Sequence, residues 1–195
     1  SDLDMNYFLG IRAADSVLVA DYEEGTGQTS PGLNHPIIGV TRLSRDLWYH
    51  AAVTFDGTTL KLYLNGNLET TVAVGAARLP QSASVQHAAL GSALTSTGAA
   101  AGFFAGALDE PRVWNVARTQ AELQSGLLGE LPSGTGLIGR CFGRRVGSCD
   151  GVHHADAGEA LIAREFATSS SLVPGTTRSI ARPLPWFECP CRGTR

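Results

Sequence analysis

Apolar and polar side chains alternate along residues 48–74 in three runs that two turn signals separate. Within the first run, 48–55, every second side chain shares a face, which is the period of a β-strand. An Asp-Gly pair at 56–57 and an Asn-Gly pair at 65–66 follow the first two runs, and such pairs tolerate the positive φ angles of tight hairpin turns. The pattern predicts an antiparallel meander with strands over 48–55, 60–64 and 68–74.

Weaker patterns on both sides of the meander extend the all-β prediction. Upstream, strands are predicted over 7–12 and 16–22, and another over 37–43 after a polar loop. Downstream, alternation predicts strands over 84–90 and 103–115, which flank a loop of small residues. Pro111 within the last run favours an edge position or a bulge, because proline cannot donate to a sheet ladder.

One short helix is predicted after the strands. Thr119 and Glu122 have the spacing of a capping box, in which each side chain accepts a hydrogen bond from the other residue's backbone N–H. Leu123 supplies an apolar contact, and Gly126 provides a C-terminal stop. The expected fold is therefore all-β and antiparallel, with one short helix at its C-terminal end.

Charge and composition divide the chain near residue 129. Residues 1–128 carry 7 Lys+Arg and 12 Asp+Glu, a net charge of −5, whereas 129–195 carry 8 and 6, a net charge of +2. The later segment also contains five of the nine prolines and all four cysteines (Cys141, Cys149, Cys189 and Cys191). We expect one domain over 1–128, followed over 129–195 by a linker and an irregular, Arg/Pro/Cys-rich tail that is not a folded domain.

Several classes of partner and cofactor are disfavoured by the same features. The basic residues are scattered among prolines in the tail, which is not the pattern of a nucleic-acid-binding surface. No apolar run approaches the roughly 18 residues of a membrane-spanning helix, so no membrane insertion is expected. The cysteine spacings do not match paired zinc ligands.

Two motifs resemble those of a known family. The sequences WYHAAVTFDG (48–57) and LKLYLNG (60–66) are similar to the central meander of laminin G-like, or pentraxin-like, jelly rolls. FAGALDEPRVWN (104–115), followed by the short helix, is similar to their closing strand. The resemblance covers about residues 5–128 and places the chain in the concanavalin A-like lectin/glucanase superfamily.

The resemblance implies a β-sandwich of two antiparallel sheets, a jelly roll with one short C-terminal helix. It also implies one or two opening strands before Tyr7 that this sequence lacks, so the chain is expected to be a fragment. One sheet would then have an uncovered edge, which is an aggregation liability.

Asp109 is the one candidate metal ligand. In related jelly rolls an aspartate at this place often holds a structural Ca²⁺ together with carbonyls of the opening strand, so the resemblance implies calcium here. The alternative is that Asp109 and Glu110 pair with Arg112 or cap backbone groups. No other cofactor is expected.

Catalytic residues are not predicted. Glucanases of the superfamily carry the motif Glu-x-Asp-x-x-Glu, whose alternating acids share one strand face. Asp21 and Glu23 share a face, but a third acid is missing, and their cluster with Glu24 is expected to be a solvated strand end. His50 is expected to pack within its strand.

The expected function is a non-catalytic carbohydrate- or protein-binding module, in an adhesion or accessory role, within a larger secreted or cell-surface protein. Its partners would be a glycan or an extracellular protein, and other domains of the same polypeptide. Loops 25–36 and 92–102 are the candidate binding surfaces, whereas Trp48 is expected to pack inward and to be a poor sugar platform. The alternatives are a glucanase-type glycoside hydrolase and a structural spacer with no ligand.

Overall fold

The computed structural model describes residues 5–81, 88–131 and 133–140, and the backbone of 162–168. The strands are β1 (Tyr7–Arg12), β2 (Val17–Tyr22), β3 (Ile37–Ile38), β4 (His50–Phe55), β5 (Thr59–Leu64), β6 (Asn67–Ala73), β7 (Ala93–Leu94), β8 (Ala100–Ala101), β9 (Arg112–Trp114), β10 (Leu137–Arg140) and β11 (Ile162–Thr168). One helix, α1 (Gln120–Ser125), follows β9. These elements confirm the predicted all-β class with one short helix.

Two sheets and a small hairpin organise the strands. The smaller sheet has the order β1-β2-β3, the larger one has the order β10-β9-β11-β4-β5-β6, and β7 pairs with β8. Strands β4, β5 and β6 form the predicted antiparallel meander. Apolar side chains from the facing sides of the two sheets, together with Leu43 of the connection between them, form the main core: Leu18, Ala20, Tyr22, Ile37, Leu43, Ala51, Val53, Phe55, Leu60, Leu62 and Leu64. Each fully buried large aliphatic side chain contributes about 1.5–3 kcal/mol relative to an exposed one.

Helix α1 packs on the opposite face of the larger sheet. Its buried Leu123 clusters with Ala52 of β4 and Tyr63 of β5. The capping box forms as predicted, since Thr119 N–H donates to Glu122 Oε2 at 2.7 Å and Glu122 N–H donates to Thr119 Oγ1 at 3.3 Å. The larger sheet is therefore covered on both faces at its centre.

A β-bulge in β6 changes the predicted face of one side chain. Leu62 pairs with Thr70, but Tyr63 pairs with Leu68, so Glu69 is the extra residue. The sequence predicts Leu68 on the face of Thr70, and the bulge makes that prediction wrong: Leu68 lies on the face of Tyr63 and is 47% exposed.

Glu69, the residue at the bulge, connects the two sheets at one edge. Its carboxylate accepts hydrogen bonds from Val40 N–H at 3.0 Å, Thr41 N–H at 3.1 Å and the Thr41 hydroxyl at 2.6 Å. The hydroxyl of Thr70 donates to the Ile38 carbonyl at 2.9 Å. The end of β3 and the residues that follow it are thereby fastened to β6.

Several strand lengths differ from those predicted. β3 covers two residues rather than 37–43, and β9 covers three rather than 103–115. The left-handed backbone of Glu110 (φ 51°) and the following Pro111 end the regular ladder on the N-terminal side of β9. The loop predicted over 91–102 contains the hairpin of β7 and β8, and most of the strand predicted over 84–90 lies outside the described residues.

Two described stretches of the segment predicted to be an irregular tail are strands of the larger sheet. β10 pairs antiparallel with β9, and β11 lies between β9 and β4, parallel to both. Because β11 supplies a neighbour to both, neither β4 nor β9 is an edge of the sheet. All four cysteines lie outside the described residues.

The turn between β5 and β6 gives a test of its contact with α1. Asn65 and Gly66 have φ angles of 50° and 73°, as the Asn-Gly signal predicts. A Cβ at position 66 would lie 2.8 Å from Gln124 Cγ of the helix. We expect Gly66→Ala to lower the free energy of unfolding by about 2–4 kcal/mol, from the left-handed backbone and the clash together, as measured by urea unfolding.

The matched control for that variant is Gly27→Ala. Gly27 also has a positive φ, 83°, but a Cβ there would meet no atom within 4 Å. Only the backbone strain of about 1–2 kcal/mol is expected for this control. Equal losses in the two variants would contradict a contribution from the contact between the turn and the helix.

Candidate functional site

The connection from the smaller to the larger sheet, residues 39–49, is the crossover loop. Backbone hydrogen bonds anchor it to the smaller sheet and the turn before β2, since Gly39 N–H donates to Leu18 O at 2.8 Å and Leu43 N–H donates to Ser16 O at 2.8 Å. Within the loop, Ser44 N–H donates to the Tyr49 hydroxyl at 3.0 Å. The Leu43 side chain is buried in the main core. These contacts fix the loop on both sides of its projecting part.

The projecting part of the crossover loop exposes two large apolar side chains. Leu47 is 53% exposed and Trp48 is 47% exposed. The prediction that Trp48 packs inward is wrong, because the ladder of β4 begins at His50 and the left-handed Asp46 (φ 61°) redirects the chain just before Leu47. The alternation of residues 48–55 predicts a strand that begins two residues before the observed one.

Loop 25–36, one of the two predicted binding surfaces, is fastened to residues 77–81 by a buried carboxylate. One oxygen of Glu24 accepts a hydrogen bond from the Ser30 N–H, and the other lies 2.9 Å from His35 Nε2 and 3.0 Å from Arg78 Nη1. These residues form the Glu24 cluster. Backbone bonds reinforce it, such as that from Gly25 N–H to Leu79 O at 2.9 Å.

The Glu24 cluster corrects the prediction of a solvated strand end. Glu24 is 0% exposed and Glu23 is 4% exposed. Burial alone would raise the pKa of Glu24, but the hydrogen bonds from Ser30, His35 and Arg78 outweigh it, so the pKa lies below its ordinary value. The alternation of β2 is the signal that could have revealed this burial, because residue 24 continues the core face of Leu18, Ala20 and Tyr22.

The neighbouring acids are also held by the fold. The Glu23 carboxylate accepts the N–H of Met5 at 2.9 Å, which attaches the segment before β1. Burial raises the pKa of Asp21, and backbone hydrogen bonds from His35 and Tyr22 only partly counter it. The acids at the end of β2 therefore have structural contacts.

Next to Asp109 the structure shows an ion pair between Glu110 and Arg112, which is part of the arrangement expected as the alternative to a calcium site. Glu110 is buried, and its carboxylate lies 3.2 Å from Arg112 Nη2. Asp109 itself is half-buried. No group of three or more His, Cys, Asp or Glu residues that could hold a metal occurs among the described residues. Calcium at Asp109 stays a prediction.

The outer face of the larger sheet is occupied by α1 and residues 126–131 and 133–136, which we call the C-terminal cover. Trp114 of β9 is 0% exposed beneath it, with the Arg118 guanidinium 4.0 Å from its ring centroid. Gly134 packs so closely that a Cβ there would lie 2.9 Å from the same ring. Arg112 donates to Gly129 O at 2.8 Å. Around Trp114 this face therefore has no room for a ligand.

The comparison with known protein families agrees with this geometry. The Laminin_G_3 family model, described as concanavalin A-like lectin/glucanases superfamily, matches residues 3–124. The chain belongs to the concanavalin A-like lectin/glucanases superfamily. The match confirms the predicted family over nearly the same residues.

Membership of the superfamily supports a carbohydrate- or protein-binding module or a glucanase-type fold. Its laminin G-like domains generally bind glycans or proteins as parts of larger polypeptides, and they are typically extracellular. The superfamily includes both enzymes and non-enzymes. No curated protein and no solved structure matches the chain significantly.

The described part of the chain contains no helix that is both long enough and apolar enough to cross a membrane. Its one helix, α1, has six residues.

Proposed function

We propose that the domain is a non-catalytic carbohydrate-binding module of a larger extracellular protein, and that a sugar ring stacks on Trp48. The half-exposed indole beside Leu47 on the anchored crossover loop is the observation that carries the proposal. Indole combines a large apolar face with a negative ring quadrupole, to which the partly positive C–H groups on one face of a sugar are attracted.

The anchoring of the crossover loop supports binding at this place. Leu43 is buried, and hydrogen bonds hold residues 39, 43 and 44. A loop that is already ordered loses little conformational freedom when it binds, so more of the contact energy appears as affinity. Trp48 projects from this ordered base.

The contacts of the acids support the non-catalytic part of the proposal. A glycosidase needs two carboxyl groups on either side of the scissile bond. They lie about 5–5.5 Å apart in enzymes that retain the anomeric configuration and about 6.5–9.5 Å apart in enzymes that invert it. At the end of β2, where Asp21, Glu23 and Glu24 cluster, the Glu24 carboxylate accepts hydrogen bonds from Ser30, His35 and Arg78, and the Glu23 carboxylate accepts one from Met5 N–H. Two buried carboxylates that hold loops and a terminus are poorly placed to reach a substrate.

Replacing Trp48 by alanine is the direct test. On a glycan array, run with and without Ca²⁺, we expect the wild-type chain to bind a set of glycans and Trp48→Ala to bind them at least tenfold more weakly, about 1.4 kcal/mol. The matched control is Phe103→Ala, because Phe103 is an aromatic residue that is 76% exposed elsewhere on the surface. That control should keep wild-type affinity.

Two results would contradict the proposal. Absence of glycan binding by the wild-type chain, both with and without Ca²⁺, would exclude the binding function. Release of reducing sugar from a polysaccharide by the purified chain would favour the glucanase alternative instead.

A further inference from the structure

We propose that Asn65 is a site of spontaneous deamidation, and that helix α1 controls its rate by holding the turn between β5 and β6 closed. Asn65 and Gly66 form this turn. Asn65 is exposed, whereas Gly66 is buried beneath the helix. The chemistry is independent of the proposed carbohydrate binding, because it involves only the turn and water.

Deamidation of an asparagine needs its own backbone and no enzyme. The backbone nitrogen of the next residue loses its proton to water and attacks the side-chain carbonyl carbon Cγ. A new N–Cγ bond forms, the Cγ–Nδ2 bond breaks, and the amide group takes up a proton and leaves as ammonia. Water then opens the resulting five-membered imide at either of its two carbonyl carbons. One opening gives aspartate, and the other gives isoaspartate, whose backbone is one carbon longer.

The sequence makes Asn65 the asparagine with the least hindered attack. It is followed by glycine, whereas the other four are followed by Tyr, His, Leu or Val: Asn6, Asn34, Asn67 and Asn115. A side chain beside the attacking nitrogen hinders its approach to Cγ, and glycine has none. The other four asparagines are therefore internal references for the reaction at Asn65.

The closed turn does not allow the imide ring to form. The ring contains the Cα–C bond of Asn65, so the Cβ of Asn65 must lie on the same side of that bond as the nitrogen of Gly66. Asn65 has a φ of 50°. In this left-handed region ψ is about +47°, which places Cβ nearly opposite the next nitrogen. The turn must therefore rotate out of its left-handed conformation before Asn65 can react.

Contacts on two sides hold the turn in that conformation. On the side of β4, Asn65 N–H donates to His50 O at 2.7 Å, and His50 N–H donates to Asn65 Oδ1 at 2.9 Å. On the side of the helix, Gln124 Nε2 donates to Gly66 O at 3.1 Å. A Cβ at position 66 would lie 2.8 Å from Gln124 Cγ and 3.2 Å from Leu127 Cδ1, so the helix leaves the turn no space to rotate.

The rate of deamidation is then set by how often the turn opens. When opening and closing are fast, the observed rate is the rate of the open turn multiplied by the fraction of molecules in which it is open. The loss of ammonia makes each conversion irreversible, so the products accumulate as a record of past openings. The extra carbon of isoaspartate also changes the spacing that a two-residue turn between β5 and β6 requires.

The test follows the conversion of each asparagine in the full chain. Peptide mapping by mass spectrometry, during incubation at neutral pH, detects the mass gain from amide to acid. In about 6 M guanidinium chloride, where the turn is open, we expect Asn65 to convert at least about tenfold faster than any other asparagine. In the folded chain we expect its conversion to be at least about tenfold slower than in the denaturant.

A variant of the helix assigns the protection to α1. Gln124→Ala removes the hydrogen bond to Gly66 O, and it should speed conversion in the folded chain about two- to tenfold, the factor for losing one hydrogen bond. Its rate in denaturant should equal that of wild type. The matched control is Gln120→Ala, the same substitution at an exposed position one turn earlier in α1, and it should keep the wild-type rate.

Each comparison can overturn one part of the proposal. If Asn65 converts no faster than the other asparagines in denaturant, it is not a preferred site. Equal rates at Asn65 in the folded and the denatured chain would mean that the turn gives no protection. The same rate in Gln124→Ala and Gln120→Ala would remove the contact with α1 from the explanation.

Discussion

Replacing Glu24 by glutamine is expected to lower the free energy of unfolding at pH 7 by about 3–5 kcal/mol, the range for breaking a buried ion pair. Glu24 is 0% exposed and its carboxylate accepts from Ser30, His35 and Arg78. A glutamine side chain has the same shape but no charge, and its amide group brings donors toward other donors. Urea unfolding, followed by circular dichroism, measures the loss.

An exposed ion pair provides the control for this variant. Arg12 and Asp15 also form a carboxylate–guanidinium pair, but their side chains are 40% and 42% exposed. Asp15→Asn is therefore expected to cost far less stability than Glu24→Gln, because water screens and replaces the interaction. A loss as large as that of Glu24→Gln would show that burial is not the source of the effect.

The effect of Glu24→Gln on stability is also expected to depend on pH. The pKa of Glu24 is lowered in the folded protein, so the folded state binds this proton less readily than the unfolded state does. Its stabilisation is complete above the unfolded pKa of about 4.3 and is lost as the pH falls through the folded pKa. The difference in stability between wild type and Glu24→Gln should shrink below about pH 4. The pKa of Asp21 is raised, so Asp21 has the opposite effect on the pH dependence of stability, but this effect is the same in wild type and in Glu24→Gln.

Replacing Trp114 by alanine is expected to lower the free energy of unfolding by about 3–5 kcal/mol, as for other buried tryptophans. Trp114 is 0% exposed, and Arg118 and Gly134 pack on its ring. The substitution leaves a cavity between the larger sheet and the C-terminal cover. Far-ultraviolet circular dichroism during urea unfolding is the measurement, because the substitution also removes a fluorophore.

Trp48→Ala is the matched control, since it is the same substitution at a side chain that is 47% exposed. We expect it to cost less than about 1 kcal/mol of stability, although it should abolish most glycan binding. The two variants thus separate stability from recognition. Equal destabilisation would mean that Trp48 belongs to the core, and the proposed sugar platform would be contradicted.

Much of the fold follows from local sequence signals. The meander, its two turns and the capping box depend on residues that are at most a few positions apart. Period-two alternation and the left-handed turn at Asn65 and Gly66 therefore predict them directly. The face of Leu68 could not be predicted in this way, because the bulge at Glu69 is decided by partners some thirty residues earlier, at Val40 and Thr41.

The candidate site was less predictable than the fold. Trp48 fits the alternating pattern of a strand. Its exposure becomes clear only from the structure, in which β4 begins at His50 and Trp48 still belongs to the crossover loop. Glu24 becomes a buried anchor through Arg78, which is 54 positions away in the sequence. The exposure of Trp48 and the partner of Glu24 depend on tertiary contacts that neighbouring residues do not encode, whereas the alternation of β2 could have indicated that Glu24 is buried.

The C-terminal cover has a consequence for where this domain ends. The family match stops at residue 124, inside α1, yet the contacts that bury Trp114 and Arg112 come from Gly129 and Gly134. A polypeptide cut at the end of the match would leave a tryptophan and an ion pair open to water, and such a surface favours aggregation. The unit inherited, fused or expressed as one piece therefore extends beyond the match, through β10 and on to β11 at residues 162–168, which pairs with both β4 and β9.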